Sequence, residues 1–346
     1  MLNFLHKLIG GKPNHAPAQP TALRQANAAP SEVDAAAGAP FRFAAHLHMQ
    51  NGFPILDWSA ARGWVDTLAP GPAQDAAWSA IEAGWMLHMR DALGADFWLA
   101  ESSHCLLLSA LEQNVAKATL AYMERTLDRV VRTLDGIAEA PSMGKDLLIV
   151  FDDEDSYYRY VSHAYPDGEF ALSGGMYLNN GCGHFVTVRR DLGAIEPVIA
   201  HEMTHACLAH LPIPAWLNEG LAVNTEARLA GAQAPMYTPQ EMRAKHLAFW
   251  GRDEIQEFWS GHSFFRSDDG NLLSYDLARI LVGFAAKDWN AFRPFVLAAQ
   301  LADGGAQAAR EHLGAELGEM VCALLGQAYA PDWSPAPSVW QNVSAA

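Results

Sequence analysis

Apolar positions recur along this chain with several distinct rhythms. Between residues 111 and 136, Leu111, Val115, Leu120, Met123, Leu127, Val130, Val131 and Leu134 fall at near-helical spacing and stop before Gly136. That period predicts one long amphipathic helix closed by the glycine. Asp146 to Phe151 is a short apolar run behind a single acid and predicts a buried strand, as His104 to Ser109 does before it. Asp152 to Val161 predicts a helix with acidic residues in its first turn. Segments 174–179 and 184–189 flank Asn180-Gly181-Cys182-Gly183, residue types that tolerate positive φ, and predict a β-hairpin. A helix is predicted from about Pro197, near its start, to about Leu211, where Pro212 and Pro214 remove backbone donors. Another begins near Ala215, and residues 273–328 read as largely helical.

Strands and helices mixed in this way imply an α+β fold. The flanks differ in texture. Residues 1–40, mostly Ala, Pro, Gly, Asn and Gln after residue 10, have few large apolar groups to offset ordering entropy and read as a flexible arm. Residues 41–96, rich in tryptophan and punctuated by Pro70-Gly71-Pro72, read as a helical extension of short helices joined by a turn. The main domain is then 97–330, and 331–346 is a tail.

Composition narrows the partners. A formal net charge of −16 leaves Lys and Arg too scarce for a phosphate-binding surface, which argues against nucleic acid and anionic membrane. No apolar run reaches the length of a membrane span. The four cysteines, Cys105, Cys182, Cys207 and Cys322, are widely spaced and too few for a disulfide framework. With an N-terminus too short and polar for a secretory signal, a cytoplasmic location is the expectation.

The chemistry is concentrated at His201-Glu202-Met203-Thr204-His205. Histidines four apart on a helix point to one place, and Glu202, on the same turn but turned aside, is placed as a general base. Pro212 and Pro214 fold the chain back, and Glu219, fourteen positions after His205, arrives on the first turn of the next helix as a third ligand. Two neutral imidazoles and one carboxylate leave zinc a position open to water, as in catalytic sites. One Zn2+ per chain is expected. Asn218 and Glu226 are read first as solvated polar positions, with support of the ligands as the alternative.

These segments, together with Trp216-Leu217-Asn218-Glu219-Gly220-Leu221-Ala222, Ser274-Tyr275-Asp276-Leu277-Ala278 and Ala308 to Ala315, resemble the gluzincin metallopeptidases, and among them the peptidase MA-like proteins. The likeness spans about 97–328. It implies a zincin-like catalytic domain, with a small mixed sheet, an edge hairpin, a zinc helix and a helical C-terminal subdomain. It further implies that Tyr275 stabilises the oxyanion of the tetrahedral intermediate, with His262 in reserve, and that a peptide or protein is the substrate. Related aminopeptidases carry a G-x-M-E-N segment whose glutamate binds the substrate's amino group. Gly174-Gly175-Met176-Tyr177-Leu178-Asn179 has Tyr177 there instead, so an endopeptidase is the expected form. A zinc-containing peptide-binding protein without turnover and a purely structural zinc protein are the alternatives, against which the intact Glu202 counts. Cys182 and His184 read as a turn thiol and its neighbour rather than a second metal site, and Asp152, Asp153, Glu154 and Asp155 as a solvated helix start rather than a calcium loop.

Overall fold

A computed structural model describes residues 28–34, 38–164, 175–190, 192–231 and 236–340. The fold is α+β around one five-stranded sheet. Its strands are β1 (Trp98–Glu101), β2 (Cys105–Ser109), β3 (Asp146–Phe151), β4 (Gly175–Asn179) and β5 (Gly183–Val188), in the spatial order β1-β2-β3-β5-β4. β2, β3 and β5 run parallel, and the two outer strands run antiparallel to their neighbours. β4 is thus an edge strand, paired to β5 with Tyr177 opposite Phe185.

The all-apolar run of β3 is explained by cover on both faces. Alternate residues Leu147, Ile149 and Phe151 enter one core, and Leu148 and Val150 enter another on the opposite face. The first core is completed by α1 (Trp58–Val65) and α2 (Pro72–Leu93), which bury Trp58, Trp78, Ile81, Trp85 and Met89. The second contains α3 (Gln113–Thr133), the motif-bearing helix α5 (Leu192–Leu208) and α6 (Ala215–Leu229), with the C-terminal helices around them. The N-terminal extension therefore backs the sheet on the face away from α5.

Several elements differ from the sequence reading. The strand Trp98–Glu101 was not anticipated, nor were two small antiparallel ribbons, Glu32–Val33 with Phe41–Arg42 and Leu47–Gln50 with Phe53–Leu56. Of the arm, residues 1–27 and 35–37 lie outside the described residues, while Val33 is buried. α2 is a single helix of 22 residues with Pro72 at its start, where a missing N–H costs nothing. α4 (Glu154–Val161) has Asp153 as its cap, accepting the Ser156 N–H at 2.7 Å, which accounts for the acidic run. α5 begins at Leu192 rather than near Pro197, which lies inside it. The carbonyl deprived of a partner by Pro197 belongs to exposed Gly193 and stays within reach of water.

The longer helices that follow are α7 (Pro239–Phe249), α8 (Arg252–Ser260), α9 (Asp269–Ala285), α10 (Trp289–Ala298) and α11 (Leu317–Leu325). α6 and α9 cross in close contact at Gly220, where a Cβ would stand 2.7 Å from the Ala278 carbonyl oxygen. No helix among the described residues is long and apolar enough to cross a membrane.

Candidate metal centre

α5 presents three faces, each with a different task. Ile195, Ile199, Met203 and Cys207, four apart, are buried in the core against the sheet. His201 and His205 form a second stripe turned toward α6, and Glu202 a third, turned toward β4. The link 209–214 then folds the chain back. Pro214 precedes α6, and its carbonyl accepts the Asn218 N–H at 3.1 Å to start that helix. Leu217 and Leu221 pin α6 into the same core, which leaves Asn218, Glu219 and Glu226 facing the two rings.

The hydrogen bonds determine how the rings are oriented. His201 Nδ1 lies 3.1 Å from Glu226 Oε2, and His205 Nδ1 lies 3.1 Å from Asn218 Oδ1. A carboxylate oxygen and an amide oxygen accept, so both rings donate from Nδ1 and turn Nε2 inward. There Glu219 Oε2 stands 3.3 Å from His201 Nε2 and 3.5 Å from His205 Nε2. This oxygen is buried and has no properly directed hydrogen bond. A buried, poorly satisfied carboxylate oxygen between two inward-facing imidazole nitrogens fits a divalent cation. The ligating atoms of His201, His205 and Glu219 all lie within 4.8 Å of one another, and they are the one such trio among the described residues. The reading of Asn218 and Glu226 as solvated positions is therefore corrected: both stand behind the two histidine rings.

Charge is balanced within this cluster. Burial works against a charge on either ring, yet Glu219 and Glu226 hold His201 well above the ordinary histidine range, and Glu219 raises His205. Burial likewise opposes the Glu219 carboxylate, but the two rings hold its pKa well below the usual value. A divalent ion would take the place of two ring protons. Burial raises the pKa of Glu202, with the two histidines and the Tyr177 backbone N–H pulling the other way. A carboxylate raised toward neutrality and held beside the edge strand has the properties of a proton acceptor and donor.

Tyr275 lies on α9, two turns from its start rather than at its opening. Its ring centroid is 6.5 Å from that of His201, and Phe264 packs edge-on against it at 5.1 Å. His262 sits on an exposed turn, its Nδ1 2.8 Å from Ser260 Oγ. His184 is a core residue, its ring bonded to the Tyr160 hydroxyl at 2.8 Å and the Cys182 carbonyl at 2.9 Å. Burial holds its pKa down at about 4. Cys182 is a free thiol in the hairpin turn, as expected, and it is buried, with Sγ 3.9 Å from Glu82 Oε1. Sequence reasoning missed Glu82 and Asp146, two buried acids from distant segments. Compared with the patterns of known protein families and with curated proteins, the sequence matches none.

Proposed function

We propose that the chain is a zinc-dependent endopeptidase with a zincin-like catalytic domain. The observation that carries this reading is the paired orientation of His201 and His205 by Glu226 and Asn218, with both Nε2 atoms gathered around Glu219 Oε2 and Glu202 buried alongside. Two imidazoles and a carboxylate are the donor set of catalytic zinc. Zinc, when bound, supplies Lewis acidity toward water and a peptide carbonyl.

The chain's own residues supply the rest. The edge of β4, unpaired on its outer side among the described residues, offers backbone groups along which an extended peptide can align. Glu202 takes a proton from the attacking water and returns it to the leaving amine. Tyr275, across from His201, donates its hydroxyl to the developing oxyanion. Tyr177 occupies the position at which an aminopeptidase would need a carboxylate, which favours cleavage within a chain.

The test is zinc content by plasma mass spectrometry, followed by peptide-library cleavage with and without chelator. One zinc per chain is expected, lost in His201→Ala and Glu219→Ala and kept in Glu202→Gln, which should have no measurable turnover. Tyr275→Phe should keep zinc and lower kcat roughly 100-fold to 1000-fold. Bound zinc without cleavage would point instead to a peptide-binding protein, and full activity in Glu202→Gln would refute the mechanism.

A further inference from the structure

A second recess lies one turn beyond Glu202 on the same side of α5. Residues four apart on a helix share a face at about 6 Å along the axis, so Glu202 and Ala206 form one stripe on α5, and Ala209 and His210 follow just past the end of that helix. Ala206, Ala209 and His210 line a cavity of about 380 Å³. Tyr177 connects the two places: its backbone N–H faces Glu202, and its side chain lines the cavity. Its hydroxyl occupies the space left by Gly183, where a Cβ would stand 1.9 Å away.

Asp146, the first residue of β3, lines this cavity as well. By the strand's alternation it shares the α5 side with Leu148 and Val150. It is 4% exposed, and its Oδ2 is fully buried with no hydrogen-bond partner. The protein's own Lys145 and Arg62 border the recess, each already held by other groups. Lys145 Nζ is held by Glu101 Oε1 at 3.0 Å and by the Ser102 carbonyl at 2.6 Å. The Arg62 guanidinium lies over the Trp78 ring, 4.2 Å from its centroid, on an exposed side chain. On the opposite wall Glu82 accepts the Lys145 N–H at 2.9 Å. Burial pushes Glu82 up to about 8 and Asp146 up to about 7, so the empty recess need not hold two bare charges at neutral pH. An entering cation would draw those protons off and, once the Asp146 side chain turns toward it, supply the donor that Oδ2 lacks. Pro141, Ala206 and Ala209 offer apolar surface for a methylene stem.

We propose that this recess is a specificity pocket that takes the lysine or arginine side chain of a peptide next to the bond to be cut. The position relative to the scissile bond rests on the endopeptidase reading, whereas binding of the basic group does not.

Binding is measured first without turnover, on the Glu202→Gln protein, by calorimetry with N-acetylarginine amide and its neutral isostere N-acetylcitrulline amide. The arginine probe should bind at least about tenfold more tightly, the effect of one charge-assisted hydrogen bond. Asp146→Asn should remove that difference while leaving the circular dichroism spectrum unchanged. Ala209→Leu, which fills the recess from its exposed rim, provides a second variant that keeps both acids and should weaken the arginine probe. Equal binding of the two probes, or no binding, overturns the pocket. Wild-type cleavage of a peptide library should then favour sites beside Lys or Arg, a preference that Asp146→Asn levels. Chelator-sensitive cleavage without that preference overturns the pocket and leaves the endopeptidase reading standing. Selective arginine binding without any cleavage does the reverse.

Discussion

Gly220 sets two familiar effects against each other, and the structure decides which wins. It sits inside α6, beside Glu219, and helix propensity alone makes Gly→Ala stabilising by about 1 kcal/mol. A Cβ at this position, however, would meet Val282 Cγ2 at 2.6 Å and the Ala278 carbonyl oxygen at 2.7 Å. The second contact is 0.7 Å short of the 3.4 Å at which ordinary packing begins, and a backbone carbonyl cannot rotate out of the way. The two helices must therefore separate, at the upper end of the overpacking cost, about 3 kcal/mol. Gly220→Ala should be destabilising by roughly 2 kcal/mol net. Gly63→Ala is the control. Gly63 lies in α1 with nothing within 4 Å of the new Cβ, and there the propensity gain of about 1 kcal/mol should appear undiminished. Urea unfolding of both variants, metal-free, measures the contrast. A Gly220→Ala protein as stable as wild type, or more so, would refute the claimed crossing of α6 on α9.

Two further outcomes follow from side chains already placed. Glu226→Gln and Asn218→Ala each remove or weaken an acceptor behind a histidine and should reduce zinc affinity about 10-fold to 100-fold without abolishing binding, as competition against a chromogenic chelator would register. Glu82 should make stability fall as pH rises: its pKa is raised from 4.5 to about 8, so its contribution is fully present below about 4.5 and is lost as pH climbs through 8. Asp146 acts in the same direction over a window ending near 7. The slope approaches about 1.4 kcal/mol per pH unit for each group, and Glu82→Gln, which mimics the protonated acid, should flatten it in denaturant titrations between pH 5 and 8.

What was legible in the sequence was whatever has a local cause. The β3 run, the α3 period and the glycine-rich hairpin turn each carry their own signal, and His201, Glu202 and His205 are set by helical spacing alone. The two-residue ribbon Glu32–Val33 is too short to show a period. α2 buries residues around much of its circumference, including Glu82 and Arg90, which blurs the one-sided pattern that marks a surface helix. Asn218 and Glu226 were visible as positions on a helix, but only the packing of Leu217 and Leu221 fixes which way that helix turns. Asp146 looked like the polar start of a strand, and nothing local indicates that Glu82, from 64 positions earlier, closes the same recess.

One helix, α6, carries Glu219 and the partners of both histidines, so a bound ion would act as a rivet between α5 and α6. It would close a loop from His205 to Glu219, with the proline-containing link 209–214 between its ends. Such a cross-link restricts the unfolded chain as well as organising the folded one. The resistance of that link to a non-specific protease thus becomes a gauge of metal occupancy, one that can be read without knowing any substrate.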